Sequence, residues 1–456
     1  MIGARFENPT MRIIICGAGQ VGSHATEVLA SADNDITVID TDPDRLRAIA
    51  DTLDVATFCG NCVDAQVLRE AGAGQADLVV TVTDRDEVNM LAATIAKAVG
   101  AAKTIARVHH GAFISQRGFD YQQHLSIDRL ICPEYATAMV IASKLRNPAA
   151  LAIESFGQGT IQMQQFPVSS DAPAIGKPLA ELKLPEGTRL AAITRQRQAF
   201  IPIATSTVEK DDTVVLVGNA TAFPEARKLF HDDKLGRRRI VLMGGSPMAV
   251  WLCRSLRNRN FSIRLFETDR ERAAELADKL DWITVIHADP TDRSIFEEEH
   301  IGQADVFGAL RTDDEDNIIA SVLAKSMGVT LVIAVLQSAN YLDLVYHIGV
   351  DLAFSPSLVA ADEILATLDE SPLQKMSSLT DGVVDAFRVR VGRESEVIEK
   401  PLREVKLTPN WIVAAIRRGD RAWVPSAEDK VEAGDTVLVI GRAGMEKQLK
   451  KLFAAE

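Results

Sequence analysis

A glycine-rich stretch near the N-terminus has the residues needed to bind a pyrophosphate. Gly17-Ala18-Gly19-Gln20-Val21-Gly22 directly follows an apolar run, Ile13-Ile14-Ile15-Cys16, and opens a helical pattern. In this spacing the first glycine makes a tight turn, the second lets the backbone approach the anion, and the third lets helix and strand pack closely. The helix N-terminus then faces the negative charge. The motif predicts five phosphate-binding residues: Gly17, Gly19, Gln20, Val21 and Gly22.

An acidic residue at suitable spacing strengthens this prediction. Asp40 ends the next apolar run, 18 residues after Gly22. A carboxylate at this point accepts hydrogen bonds from the adenosine ribose hydroxyls and repels a 2′-phosphate, so NAD(H) is preferred over NADP(H). The alternative interpretation is that Asp40 only caps the helix that begins at Pro43.

The chain contains an internal duplication. Several motifs recur with a separation that drifts by only a few residues, between 223 and 228. The repeated pairs are Gly17 and Gly244, Asp40 and Glu267, Gly74-Gln75-Ala76-Asp77 and Gly302-Gln303-Ala304-Asp305, and Lys177-Pro178-Leu179 and Lys400-Pro401-Leu402. Such regular recurrence indicates two copies of one long unit.

The second copy of the glycine-rich stretch is altered. It reads Gly244-Gly245-Ser246-Pro247-Met248-Ala249, so Ser246 adds a side chain where the pyrophosphate should pass. Arg107, a candidate cation for the phosphates, aligns with Val335. The candidate binding residues of this copy are Gly244, Gly245, Ser246 and Glu267. The second site is therefore empty, weaker, or specialised for another nucleotide.

The pattern of apolar runs predicts an α/β fold. In the first half, nearly all-apolar runs at residues 13–16, 36–39, 78–82 and 104–108 alternate with helical stretches, as in a parallel sheet covered by helices on both faces. The later part of each half has short strands and Pro-Gly turns. We predict two Rossmann-like parallel-sheet lobes, each followed by a small α+β lobe. The predicted segments are a disordered extension at 1–10, Rossmann lobes at 11–150 and 235–372, and small lobes at 151–234 and 373–456.

The composition limits the kinds of partner and the compartment that we expect for this chain. A net charge of −13, with Arg237-Arg238-Arg239 as a short basic run, argues against nucleic acid. No apolar run approaches the roughly 20 residues needed to cross a bilayer, and the N-terminus has no signal-peptide pattern. Five scattered cysteines suit a reducing compartment, and Cys59-Gly60-Asn61-Cys62 has no cysteine counterpart in the second copy. We expect a soluble cytoplasmic protein without direct membrane insertion.

Residues for catalysis are not evident. A dehydrogenase needs a second domain that brings an acid or base to the nicotinamide, and the small lobes contain one histidine between them, His231. His109-His110 fits a loop better than a proton relay. The acidic runs Glu297-Glu298-Glu299 and Asp313-Asp314-Glu315-Asp316 fit solvated helix ends better than a cation site. A nucleotide sensor with neither catalytic nor metal-binding residues explains the sequence better than an NAD-dependent oxidoreductase, which is the alternative.

The order of the motifs resembles the RCK (KTN) domain, which regulates potassium channels and transporters. After the glycine-rich stretch and Asp40 come Gly60-Asn61-Cys62-Val63-Asp64, Val82-Thr83-Asp84 with Glu87 and Asn89, and Ile127-Asp128-Arg129 with Pro133-Glu134. The small lobes resemble the C-terminal RCK lobe, with Gly176-Lys177-Pro178-Leu179 near the start and Asp212-Thr213-Val214 before Gly218. Two complete copies make the chain similar to cytoplasmic regulatory subunits of bacterial potassium uptake.

The resemblance implies a mechanism and further site residues. RCK lobes form a ring of eight, so two copies per chain imply a homotetramer on an integral-membrane potassium transporter subunit, peripheral to the bacterial inner membrane. NAD(H), or alternatively ATP or ADP, would bind and change the ring's shape; a different ion channel is the alternative partner. Asn61 and Cys62 would lie by the adenine, and Thr83 and Arg107 near the ribose-phosphate. Residues 135–145 would form the crossover helix between lobes.

Overall fold

The computed structural model describes most of the chain. The described residues are 11–31, 34–114, 118–146, 153–156, 161–196, 198–219, 221–231, 237–257, 260–368, 372–379, 383–405, 411–419 and 421–455. The predicted extension at 1–10 and the predicted boundaries at 150/151 and 234/235 lie outside them.

The first half contains a Rossmann lobe and then a small lobe. The Rossmann elements are β1 (Arg12–Cys16), α1 (Gln20–Ala30), β2 (Asp35–Asp40), α2 (Pro43–Ala50), β3 (Ala56–Cys59), α3 (Ala65–Glu70), β4 (Leu78–Thr81), α4 (Asp86–Val99), β5 (Lys103–Arg107), α5 (Gly111–Ile114), α6 (Tyr121–His124), β6 (Arg129–Ile131) and α7 (Pro133–Arg146). The small-lobe elements are β7 (Ile153–Phe156), β8 (Ile161–Pro167), β9 (Thr188–Arg195), β10 (Gln198–Phe200), β11 (Thr213–Asn219) and α8 (Phe223–Lys228).

Among the described residues, the second half repeats this order with one fewer α-helix, and a 3-10 helix (Ala339–Tyr341) precedes α13. Its Rossmann elements are β12 (Arg238–Met243), α9 (Pro247–Leu256), β13 (Phe261–Glu267), α10 (Arg270–Lys279), β14 (Thr284–His287), α11 (Arg293–Glu298), β15 (Val306–Ala309), α12 (Asp314–Ser326), β16 (Leu331–Val335), α13 (Leu342–His347), β17 (Leu352–Phe354) and α14 (Pro356–Leu368). Its small-lobe elements are β18 (Leu373–Leu379), β19 (Val384–Arg390), β20 (Trp411–Arg418), β21 (Arg421–Trp423), β22 (Thr436–Arg442) and α15 (Glu446–Phe453).

Both large sheets have the doubly wound topology. Their strand orders are β3-β2-β1-β4-β5-β6 and β14-β13-β12-β15-β16-β17, with all neighbours parallel. The order reverses beside β1 and β12, which places both glycine-rich loops at the switch point where such sheets bind ligands. The prediction of two Rossmann-like lobes is confirmed.

Each small lobe is built on a five-stranded antiparallel sheet with one helix after its last strand. The sheets are ordered β10-β9-β11-β8-β7 and β18-β19-β22-β20-β21, which is the same topology read in opposite directions. Some apolar side chains of both sheets form one shared cluster, while each small lobe also has a core of its own. The two small lobes make a single compact unit. Arg189 fixes them together, because its guanidinium donates to the backbone carbonyls of Val413 (2.9 Å) and Pro425 (2.7 Å).

The two Rossmann lobes form the other compact unit. Helix α14 of the second copy packs along α1, and its Ala360 and Ile364 are fully buried in the core of the first lobe. Arg129 reaches the same helix through Thr367 Oγ1 (2.9 Å). In the other direction, Trp251 of α9 packs in the first lobe and makes an edge-on contact with Tyr135 of α7. Residues 135–145, the predicted crossover helix, thus fall within α7.

Candidate functional site

Backbone packing requires glycine at the two ends of the first glycine-rich loop. Gly17 has φ +112°, and a Cβ there would lie 3.0 Å from backbone atoms of Val82 and Thr83. A Cβ on Gly22 would lie 1.8 Å from the carbonyl oxygen of Gly17. The first and third glycines of the motif therefore hold α1 tightly against the turn that follows β1.

The middle glycine has a different surrounding. A Cβ on Gly19 would have one neighbour within 4 Å, the Nη1 atom of Arg45 at 4.0 Å, so open space lies above the loop. Gly19 is also the N-cap of α1 and has no side chain to cap it. Because the first intrahelical bond is donated by Ser23, the N–H groups of Gln20, Val21 and Gly22 keep no partner in the described part of the chain. This cradle fits an anion such as a pyrophosphate.

Asp40 is held beside the loop in a fixed orientation. Its Oδ2 accepts from the backbone N–H of Ala18 (2.6 Å) and its Oδ1 from that of Asp42 (2.9 Å). The N-cap of α2 is Asp42, so the alternative interpretation of Asp40 as the cap of this helix is wrong. A carboxylate has about four acceptor positions. Asp40 thus keeps acceptor capacity for ribose hydroxyls.

Thr83 and Arg107 lie at the ends of neighbouring strands and are joined by a buried asparagine. Asn89 donates to the carbonyl oxygens of Thr83 and Arg107, both at 3.0 Å, and its Oδ1 accepts from the N–H (2.8 Å) and the hydroxyl (2.7 Å) of Thr83. This one side chain ties together the carboxyl ends of β4 and β5. Asn317 repeats the arrangement in the second copy, with Arg311 and Val335.

We expect Asn89→Ala to lower the free energy of unfolding by about 3 kcal/mol, because it leaves buried backbone groups without partners. It should also weaken NADH binding, since Thr83 and the loop beside it lose their support. Asn317→Ala is the matched control: it should cost similar stability but leave NADH affinity unchanged. Thermal unfolding and calorimetric titration check both variants, and equal losses of NADH affinity in the two would contradict the prediction.

The structure places the Arg107 guanidinium in an ion pair. Its Nη2 lies 2.5 Å from Glu134 Oε1, and both side chains are mostly buried. The Arg107 Nε is buried and has no hydrogen-bond partner among the described residues. Arg107 is therefore a partly neutralised cation at the carboxyl end of β5, and its ion pair ties it to the first turn of α7. The sequence motif contained Glu134, but the contact joins residues 27 positions apart and was not predicted.

Asn61 and Cys62 differ in how far they reach the surface. Asn61 is exposed after β3, and its Oδ1 accepts from the N–H of Val63 (3.2 Å). Cys62 is buried in the apolar cluster under the sheet together with Cys16. The neighbouring Cys62 thiol and burial raise the pKa of Cys16. The thiol of Cys62 is thus buried inside the lobe, whereas the Asn61 side chain is open to solvent.

Arg45 lies beside the first glycine-rich loop and was not among the predicted residues. It lies on α2, five residues after Asp40, and its guanidinium is the group nearest to the open side of Gly19. The side chain is well exposed and makes a 3.5 Å ion pair with Asp42. It can therefore turn toward a phosphate bound on the loop. Its recurrence in the second copy as Arg272, at the same separation as Asp40 and Glu267, was the available signal.

Asp86 organises the loop after β5. Burial alone would raise the pKa of Asp86, but hydrogen bonds from the His109 ring and from the backbone N–H groups of His110 and His109 outweigh it and lower this pKa to about 2. The ring contact is 2.7 Å, and the other ring nitrogen of His109 lies 3.8 Å from Glu134. His109 is thereby a structural member of the network.

The pH dependence of stability should show this network. An aspartate in the unfolded chain has a pKa of about 3.9. The ionised Asp86 therefore stabilises the fold above pH ~4, and this stabilisation is lost as the pH falls toward ~2. We expect Asp86→Asn to be less stable than wild type by about 2 kcal/mol at neutral pH, a difference that shrinks to near zero at pH ~2. Denaturant unfolding across this range checks it, with the exposed Asp84→Asn as control.

The second glycine-rich loop repeats the placement of the acidic side chain but not the open cradle. Glu267 accepts from the N–H groups of Gly245 (2.7 Å) and Asp269 (2.9 Å), as Asp40 does from Ala18 and Asp42. Gly244 has φ +96° and makes the same turn as Gly17. Ser246 is the N-cap of α9, and its side chain accepts from the N–H of Ala249 (3.3 Å). Two arginines, Arg272 and Arg311, also lie against this loop.

Comparison with known proteins identifies the family. The TrkA-N domain family matches residues 13–133 and 240–356, and the TrkA-C domain family matches residues 163–231 and 386–454. These four segments cover most of the chain in the order of the four lobes. The chain belongs to the TrkA family.

Curated relatives match over nearly their whole length. "Trk system potassium uptake protein TrkA" of Halomonas elongata is 33% identical, covering 94% of this chain and 95% of the relative. The protein of the same name from Vibrio alginolyticus is 32% identical, with 94% and 95% covered. "Trk system potassium uptake protein TrkA homolog 1" of Methanosarcina mazei is 31% identical, with 97% and 100% covered.

Solved structures share the fold. The crystal structure of the GsuK RCK domain covers 99% of this chain and 96% of that chain, with a TM-score of 0.59 and 16% identity. The GsuK channel bound to NAD covers 99% and 80%, with a TM-score of 0.59 and 17% identity. At these identities the likeness is one of fold, and it covers nearly the whole length of this chain.

Two further observations concern the described residues alone. Among them, no group of three or more histidine, cysteine, aspartate or glutamate side chains is arranged to hold a metal ion. Within the same residues, no helix is both long and apolar enough to cross a membrane. The acidic run after β15 makes local contacts instead, with Asp313 capping α12 through the N–H of Asp316.

Proposed function

We propose that this chain is a nucleotide-sensing regulatory subunit that gates a membrane potassium-uptake transporter. The observation that carries the proposal is that the open cradle is formed by the N-terminus of α1, while the body of the same helix packs on α14 of the second copy. A ligand bound on the first loop is thus in contact with the helix that joins the two Rossmann lobes. The names of the curated relatives supply potassium uptake as the process.

The ligand we propose is NAD(H), with ATP or ADP as the second possibility. The cradle fits a pyrophosphate, and the fixed carboxylate of Asp40 fits a ribose with both hydroxyls free. Among the structures of similar fold, GsuK has been solved bound to NAD and bound to ADP. In this chain, Gln20, Val21 and Gly22 would bind the phosphates through backbone N–H groups, with Arg45 beside them.

Binding can change shape only if the ligand prefers one arrangement of the lobes. Here the preference would arise through α1, which contacts α14 through an apolar seam that contains Ile364. Arg129 of the first lobe also reaches Thr367 (2.9 Å) and Glu363 (3.9 Å) on that helix. A small tilt of α1 toward the bound phosphate would therefore shift the second lobe, and the shift would be transmitted to the membrane partner.

We further propose assembly into a homotetrameric ring that docks, in the cytoplasm, on a Trk-type integral-membrane subunit. Support comes from apolar side chains that the unit leaves exposed on matching helices of both copies, including Leu91 on α4 and Ile319 on α12, at 51% and 60% exposure. Leu344 and Tyr346 on α13 are exposed as well. A second copy of the chain is the partner we assign to this surface.

Ile319→Asp should therefore break the ring into smaller species, because a charge would be buried at the contact between chains. Light scattering after size-exclusion chromatography measures the mass. Ile203→Asp, at an equally exposed apolar position in the small-lobe unit, is the control and should leave the mass unchanged. An unchanged mass for Ile319→Asp would contradict the assignment of this surface.

The functional test is potassium flux with the purified membrane subunit in proteoliposomes. We expect flux to depend on this chain and to change when NADH or ADP is added. Flux that ignores nucleotides would overturn the sensing proposal, and failure to bind the potassium subunit while binding another channel would favour the alternative partner. Substrate-dependent oxidation of NADH by the chain alone would favour an oxidoreductase instead.

A further inference from the structure

The second glycine-rich loop differs from the first in how its helix begins. The first helical residue of α9 is Pro247, which has no N–H group, and the N–H of Ala249 is already bound by the Ser246 side chain. Of the first-turn groups, the N–H of Met248 alone keeps no partner among the described residues. The first loop presents three such groups. Since backbone N–H groups bind the pyrophosphate, the second loop has lost most of its capacity to do so.

Two arginines also cover the second loop from inside the protein. Arg272 donates to the carbonyl oxygen of Gly245 from both Nε (3.1 Å) and Nη2 (2.9 Å). The Cγ of Arg311 lies 3.0 Å from the position that a Cβ on Gly244 would take. Its guanidinium is paired with Asp316 (2.9 Å) and Asp289 (3.3 Å). Arg272 pairs in turn with Glu275 (2.6 Å), so both guanidinium groups already have carboxylate partners within the lobe.

The matching residues of the first loop leave that loop open. Thr83 stands where the second copy has Arg311, and its short side chain turns to Asn89. Arg45 stands where the second copy has Arg272, but it is well exposed and its ion-pair partner is Asp42. The two loops thus share a tight turn and an acidic side chain beside it. They differ in the open space and in the free N–H groups that a phosphate needs.

We propose that each chain binds one pyrophosphate-containing nucleotide, on the first loop, and that the second loop is closed by its own Ser246, Pro247 and Arg311. This inference rests on the proposed function and deepens it, because it assigns sensing to one copy. The second copy then responds to the nucleotide bound at α1, because its helix α14 packs against α1. A ring of four chains would carry four nucleotides instead of eight.

Calorimetric titration of the full-length chain with NADH, and separately with ADP, measures the number of nucleotide-binding sites per chain. We expect one site per chain with each nucleotide. Two sites per chain with either one would overturn the closure of the second loop and leave the proposed function standing. No site with either nucleotide would overturn both this inference and the proposed sensing of nucleotides, so the two failures are distinguishable.

Exchanging residues between the two loops tests whether Ser246, Pro247 and Arg311 are what closes the second loop. Gly19→Ser with Gln20→Pro gives the first loop the cap of the second; serine and proline suit N-cap and N1 positions, so the variant should keep its melting temperature. We expect it to bind no NADH, and one remaining site would overturn the proposal. Ser246→Gly, Pro247→Gln and Arg311→Thr together give the second loop the residues of the first. We expect this variant to bind two nucleotides per chain. A single nucleotide per chain would show that these three residues do not close the second loop.

Discussion

Gly19→Ala is expected to lower NADH affinity by roughly 100-fold, or about 2.8 kcal/mol, while leaving the melting temperature of the ligand-free chain unchanged. The middle glycine lets the loop backbone approach a pyrophosphate, and a methyl group there occupies the space that the phosphate needs. The same methyl group meets no protein atom closer than the flexible end of Arg45, at 4.0 Å. The loss should therefore appear in binding alone, measured by calorimetric titration beside a thermal scan.

Ser246→Ala is the matched control for this variant. It removes the side chain that caps α9, so it should cost about 1 kcal/mol of stability. It should leave NADH affinity unchanged, because the first loop is intact. A Gly19→Ala chain that still binds NADH with wild-type affinity would show that the nucleotide does not contact the loop at this glycine.

Most of the Rossmann topology could be predicted from the sequence because its central strands are apolar along their whole length. Strands β1, β2, β4 and β5 match the four predicted runs to within one residue at each end. Strand β3 is not among those runs because it lies at the sheet edge, where Ala56–Cys59 is largely exposed and carries no apolar pattern. Strand β6 was missed because it has only three residues.

The candidate site was predictable where it depends on local sequence. The turn at Gly17, the cradle at Gly19 and the placement of Asp40 follow from motif and spacing, and the structure brings them together. The ion pair of Arg107 could not be predicted in this way, because Arg107 ends β5 and its partner Glu134 lies in the first turn of α7. Nor could the sequence indicate that α14, more than 300 residues away, would supply part of the core beside α1. Such contacts depend on how lobes pack.

The two loops differ in ways that a letter-by-letter alignment does not reveal. Aligned in that way, Ser246 and Val335 appear only as losses of a close approach and of a cation. In the structure Ser246 has gained a function as the N-cap of α9, and Arg311 has filled the position of Thr83. The second loop is thus stabilised in a closed form. A duplication whose copies diverge in this way can keep one copy for the ligand and use the other to respond to it.

Gly22→Ala should differ from Gly19→Ala by lowering the stability of the ligand-free chain, because it places a methyl group 1.8 Å from the carbonyl oxygen of Gly17. That oxygen belongs to the backbone of a tight turn, so relief requires α1 to move away from β1. We expect a cost on the order of 3 kcal/mol, at the upper end for overpacked sites. This corresponds to a fall in melting temperature of roughly 6–12 °C for a domain of this size, measured by calorimetry.

The second copy supplies the control for this prediction. Ala249 occupies the position that matches Gly22, and the lobe accommodates its methyl group in a fully buried position. Ala249→Gly should therefore cost only about 1 kcal/mol, the usual penalty for glycine in a helix. Because the displaced α1 in Gly22→Ala also carries the seam with α14, that variant should weaken the contact between the lobes as well as NADH binding. A Gly22→Ala chain as stable as wild type would mean that the loop does not hold α1 at the distance seen here.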